Sequence, residues 1–169
     1  MPTISSAAFV ALVAGVVAAT VIDVRTRRIP NLLTAAMAAT GIGMAATGAS
    51  GVSLAAAALG IVVGFALMLP GHALGATGAG DVKLMAAVGA IVGPVIALKA
   101  FLFTGVAGGV IAILVAVRRR RLAATLAATG HMVAAPADTP GLVRSAGAGS
   151  RFAYGPAIAI GSVLAALAK

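Results

Sequence analysis

Residues 78–121 read GAGDVKLMAAVGAIVGPVIALKAFLFTGVAGGVIAILVAVRRRR. Between Lys83 and the arginine run that begins at Arg118, the one charge is Lys99. A helix that crosses a bilayer needs about 20 mostly apolar residues. The stretch is long enough for two such helices, and Gly93-Pro94 supplies a helix-breaking pair between them. The reading places spans near 82–98 and 99–117, with Lys99 at the tight turn that follows Gly93-Pro94. The solvent for this part of the chain is therefore lipid.

The rest of the sequence has the same character. Of its 169 residues, 62% are hydrophobic and only 9% are charged, whereas a soluble domain keeps about a quarter of its residues charged to cover its surface. Cutting the chain at its charges, glycines and prolines gives four more apolar segments, near 3–22, 32–47, 52–69 and 152–168. The expected fold is an all-α integral membrane protein of six transmembrane helices, forming one domain over 1–169 with no soluble part. The first segment has no basic stretch before it, and Arg25, Arg27 and Arg28 follow it. That order marks a retained helix with its N-terminus outside rather than a signal peptide.

Six spans from an outside N-terminus return the C-terminus to the outer side and leave loops near 23–31, 70–80 and 118–151 in the cytoplasm. Arg25, Arg27, Arg28, Lys83, Arg118, Arg119, Arg120, Arg121, Arg144 and Arg151 then fall inside, and only Lys99 and Lys169 fall outside. This is the asymmetry of the positive-inside rule, and it places the chain in the cytoplasmic (inner) membrane. The apolar stretch 122–132 is too short to span and is expected to lie in the interface, with the Arg118–Arg121 run at anionic headgroups.

The net charge of +9 would suggest nucleic acid in a soluble protein, but here it sits at segment ends, there is no Trp, and only one Tyr is present. The chain therefore lacks the basic stripe interleaved with aromatics that nucleic-acid binding requires, and the lipid bilayer is its partner. With no Cys and two isolated His, His72 and His131, thiolate zinc sites and Cys nucleophiles are excluded and no metal is expected. Both histidines read as loop or interface residues.

Three acids stand in the whole chain: Asp23, Asp81 and Asp138. A charged group near hydrocarbon is costly and calls for an explanation. Asp23 closes the first span and Asp81 opens the fourth, so the topology brings both to one membrane depth on the cytoplasmic side. Two carboxylates held close together share a proton, and one can then activate water while the other protonates or polarises a scissile carbonyl. That is aspartic-protease chemistry, and it needs no metal, cofactor or serine triad. The plainer readings are a helix cap for Asp81 and a structural ion pair with the following arginines for Asp23. A proton-coupled transporter would also use membrane-embedded acids, though nearer the middle of the bilayer. Asp138, between Pro136 and Pro140, reads as a turn residue.

The neighbours of the two acids bear on the same site. Gly78 and Gly80 give the backbone freedom to turn tightly and approach another element closely just before Asp81. Lys83 can act on Asp81 or snorkel to the headgroups. Arg25 reads as a topology anchor, and Pro30 stops the first span and can start the second as its first-turn proline, followed by Asn31.

Taken together, Asp23-x-Arg25-x-Arg27-Arg28-Ile29-Pro30-Asn31, Gly78-Ala-Gly80-Asp81-Val-Lys83-Leu84 with Ala86-Ala-Val-Gly89, and Tyr154-Gly155-Pro156-Ala157-Ile158-Ala159-Ile160-Gly161 resemble the type IV prepilin peptidase family of membrane aspartic proteases. The resemblance implies that Asp23 and Asp81 are the catalytic pair, the second in a GxGD motif that presenilin-like proteases also use. It implies a prepilin or pseudopilin precursor as partner, whose basic leader is cut off after a glycine at the cytoplasmic membrane face. Lys83, Tyr154, Gly155 and Pro156 would then shape or support the site. Larger members carry an N-terminal domain with paired Cys-x-x-Cys motifs associated with N-methylation; this chain has no Cys. It resembles instead the small form of tight-adherence (Flp) pilus systems, for which methyltransferase activity is not implied. A noncatalytic pilus-assembly scaffold and a proton-coupled transporter are the rival readings.

Overall fold

The computed structural model describes residues 4–118 and 154–168. Within them the chain is all helical: α1 (Ser6–Thr26), α2 (Asn31–Ala46), α3 (Leu54–Ala73), α4 (Ala79–Arg118) and α5 (Gly155–Leu167). Helices α1, α3 and α4 are long and apolar enough to cross a membrane, while α2 and α5 are apolar but shorter. Large apolar side chains such as Val10, Val17, Val62, Leu102 and Val106 stay exposed on the outer faces, as they do in a membrane protein. The stretch 122–132 expected in the interface, His131, Asp138 and the arginines at 119–121, 144 and 151 lie outside the described residues.

Small residues set the packing. Lipid supplies no hydrophobic drive between helices, so association depends on close backbone approach. Gly60 and Gly64 of α3 stand against the carbonyls of Gly89 and Met85 in α4, and Gly41 of α2 stands against the Ala90 backbone. These neighbours enclose residues 79–92, whose side chains from Val82 to Val92 are all buried except Lys83.

Helix α4 is not straight. Gly93 has φ 78° and ψ 175°, a conformation closed to residues with a side chain, and Pro94 starts the next helical segment. Were α4 straight, Asp81 and Gly108 would lie about 40 Å apart at 1.5 Å per residue. Yet the Tyr154 hydroxyl sits 2.9 Å from where a Gly108 Cβ would be, and Asp81 acts electrostatically on the same tyrosine. The chain therefore reverses at Gly93, and α4 consists of two antiparallel arms, 79–92 and 94–118. The reversal falls earlier than the expected turn at Lys99, which lies half-buried inside the second arm. The second arm packs antiparallel to α5, with Gly161 against Thr104 and the Ala100 carbonyl.

Two helix ends also differ from expectation. Helix α1 runs past Ile22 to Thr26, so Asp23 and Arg25 belong to its last turns rather than to a loop. It stops only where Arg27 takes φ 52° and donates its N–H to the Asp23 carbonyl at 2.7 Å. Helix α3 continues through Pro70 to Ala73, because a proline near the end of a helix removes only one donor. It is closed by Gly75 at φ 81°, with Gly75 N–H on the His72 carbonyl at 2.9 Å and Ala76 N–H on the Gly71 carbonyl at 2.8 Å. This is a Schellman stop, which needs a left-handed residue one past the cap. The loop expected over 70–80 thus shrinks to 74–78.

Candidate active site

Asp81 sits three residues into α4. Gly78 is the residue before the helix, its carbonyl accepting from the N–H groups of Asp81 and Val82 at 3.1 and 3.3 Å. The Gly78 N–H donates in turn to Asp81 Oδ2 at 2.8 Å. An acid three positions into a helix that accepts from the capping residue's N–H is one half of a capping box. The plain reading of Asp81 as a cap is therefore part of what it does.

The two glycines of the motif act differently. Gly78 supplies the N–H that holds the carboxylate. Gly80 makes room for the α1–α2 connection, since a Cβ there would come within 3.0 Å of Ile29 Cβ.

Asp23 reaches the same place from α1. Its Oδ2 accepts the N–H of Gly155 at 2.9 Å. Gly155 is the first residue of α5, so the N–H it offers has no partner within its own helix. A side chain at 155 would put Cβ 2.8 Å from Asp23 Oδ2, and only glycine lets α5 begin there. Pro156 follows in the first turn, where a proline costs no hydrogen bond.

Asp23 and Asp81 are 5% and 7% exposed, so both carboxylates are nearly withdrawn from solvent. Asp23 and His72 each lie close enough to act electrostatically on Asp81, and Tyr154 completes the group. Each acid faces the N-terminal end of a helix, α4 or α5, where the partial positive charge of the helix favours an anion.

The remaining predicted residues stand around this centre. Lys83 is exposed and donates Nζ to Asn31 Oδ1 at 2.8 Å, tying α4 to the start of α2. Pro30 caps α2 rather than opening it, with its carbonyl accepting from Leu33 and Thr34, and Asn31 is the first helical residue. Its fixed φ of −63° suits either position, but ψ 136° leaves it extended. Arg25 is exposed. Among the described residues, no group of His, Cys, Asp and Glu could hold a metal ion. Gly108, the seat of Tyr154, carried no signal in the sequence, because it acts only by leaving space.

The sequence matches the model of the type IV leader peptidase family over residues 10–113, more than half of the chain, and that stretch contains both acids and the helices that carry them. The chain belongs to this family. No curated protein and no solved structure matches it. Membership of the leader peptidases makes it, at the level of the family, a membrane protease that acts on prepilin-type substrates. The family match ends before Tyr154 and Gly155, so their place beside the acids rests on geometry alone.

Proposed function

We propose that this leader peptidase is an aspartic endopeptidase whose catalytic pair is Asp23 and Asp81, and that it removes the leader from prepilin or pseudopilin precursors at the cytoplasmic face of the inner membrane. The observation that carries the proposal is two nearly buried carboxylates, on different helices, close enough for one to act electrostatically on the other. Each is anchored through Oδ2 to a main-chain N–H. That leaves Oδ1 of each acid for the reaction.

With one acid ionised and the other neutral, the ionised one takes a proton from water as its oxygen attacks the scissile carbonyl. The neutral one gives its proton to the carbonyl oxygen. Collapse of the tetrahedral intermediate returns that proton and breaks the C–N bond as the amine is protonated. Since the reaction needs one acid in each state, activity should fall at low pH, where both are protonated, and at high pH, where both are ionised. A bell-shaped profile of cleavage rate against pH checks this.

The membrane arrangement proposed is six passes with both termini outside. In its favour are the reversal of α4 at Gly93 and the gathering of Arg25, Arg27, Arg28 and Arg118 at the end that carries the acids. The substrate's own apolar helix would lie beside α1 and α4 in the membrane, leaving its leader junction extended between the two carboxylates.

Co-expression with tagged prepilins, followed by gel shift and N-terminal sequencing, tests the assignment. Wild type and Asp138→Asn should cleave, and Asp23→Asn and Asp81→Asn should not. Cleavage that survives both of the last two changes would overturn the aspartic mechanism. Failure of wild type on a panel of prepilins, with pilus assembly intact in both Asp variants, would favour a scaffold instead.

A further inference from the structure

His72 lies outside every motif discussed above, yet it is joined to Asp81 by one peptide group. Its Nδ1 is 3.0 Å from the carbonyl oxygen of Thr77. The other end of that same peptide is the Gly78 N–H, which donates to Asp81 Oδ2 at 2.8 Å. A carbonyl can only accept, so Nδ1 carries the hydrogen, whether the ring is neutral or charged. The order is therefore imidazole N–H to carbonyl, through the amide, to N–H on carboxylate. Donation to a carbonyl polarises the amide and strengthens its N–H as a donor.

The loop geometry holds this peptide in place from the other side. The Schellman stop at Gly75 turns the chain back, and the Thr77 N–H reaches the Gly71 carbonyl at 3.3 Å. The Thr77 side chain lies 3.4 Å from where a Gly71 Cβ would stand. Its hydroxyl is buried with no hydrogen-bond partner, so side-chain bonding does not account for the orientation of Thr77. What remains to fix it is the Gly71 carbonyl behind it and the His72 ring across the loop.

We propose that His72 is a positioning residue for Asp81, acting through the Thr77–Gly78 peptide. The proposal rests on the aspartic-peptidase reading and deepens it. His72 does not touch substrate. It sets the direction of the N–H that holds Oδ2, and so the direction in which Oδ1 faces Asp23. Among the described residues, Asp23 and His72 act electrostatically on Asp81, and Asp81 acts on Tyr154; the role given to His72 depends on its donor rather than on its charge.

The test uses the full-length protein in membranes with a prepilin that wild type cleaves, measuring kcat and KM for wild type, Asp81→Asn, His72→Leu and His72→Asn. Asparagine places an N–H donor at the position of Nδ1 without a titratable ring. His72→Leu should lower kcat about three- to tenfold, the worth of one hydrogen bond, with KM unchanged. His72→Asn should recover kcat to within about twofold of wild type. A His72→Leu enzyme with wild-type kcat overturns the proposal, as does one in which only KM rises. His72→Asn as slow as His72→Leu overturns it too, by making the ring rather than its donor the requirement. Cleavage by Asp81→Asn, or none by wild type on any prepilin in the panel, would instead remove the reading on which it rests.

Discussion

Helices α1 and α3 start on serines, whereas α4 and α5 start on carboxylates. Ser5 accepts the Ala8 N–H at 3.1 Å and donates to the Ala49 carbonyl, and Ser53 accepts from Ala56 at 3.2 Å. The fully buried Ser50 closes on Val52, accepting its N–H and donating to its carbonyl, both at 3.1 Å. At this end neutral hydroxyls satisfy the backbone, and none of the described charged residues there is fully buried. At the other end Asp81 and Asp23 do the same work for Gly78 and Gly155. Capping alone does not call for an acid, since serine and aspartate caps are worth about the same, about 1 kcal/mol. Burying a carboxylate costs far more than burying a hydroxyl. On the aspartic-peptidase reading proposed above, the excess at the acid end serves catalysis, and the serine end is structural.

Substitutions should separate the two ends, beginning with the largest effect. Asp23→Asn and Asp81→Asn each keep an oxygen acceptor for the N–H they hold, yet should lower cleavage by about 10²- to 10⁴-fold, the range for loss of general acid–base catalysis. Near-normal thermal stability of both variants in detergent would show that the loss is chemical. Gly155→Ala should come next. Its Cβ would fall 2.8 Å from Asp23 Oδ2, and moving that carboxylate should slow cleavage about 10- to 100-fold by misplacement, in an assay of kcat on a prepilin. Ser50→Ala belongs to the other end. It strands the buried Val52 N–H and should cost about 1–3 kcal/mol of stability, read as a lowered melting temperature, with the rate per folded molecule unchanged. If Ser50→Ala slowed cleavage as much as Gly155→Ala, the division between a chemical and a structural end would fail.

The acids were legible in the sequence because charge is scarce in an apolar chain, and the six-span reading already expected Asp23 and Asp81 on one side. The turn near Gly93-Pro94 was legible because the pair joins a residue free to take a positive φ to one suited to starting a helix. The reversal stands at Gly93 rather than at Lys99, because a positive φ and not a charge makes it. The ends of α1 and α3 follow the same rule. Hydropathy falls at Asp23 and at Pro70, but a helix ends where a residue goes left-handed, at Arg27 and just beyond the cap at Gly75. The roles of Gly155 and His72 were out of reach from spacing. One depends on α5 arriving beside α1, and the other on a loop that folds back across the last turn of α3.

The central claim is that Asp23 and Asp81 work as one unit, and a double-mutant cycle on kcat tests it most directly. Residues that act together lose their effect together, so the Asp23→Asn, Asp81→Asn double variant should be no slower than the slower single variant. Losses that multiply, or one single variant that keeps near-wild-type kcat, would contradict the pairing.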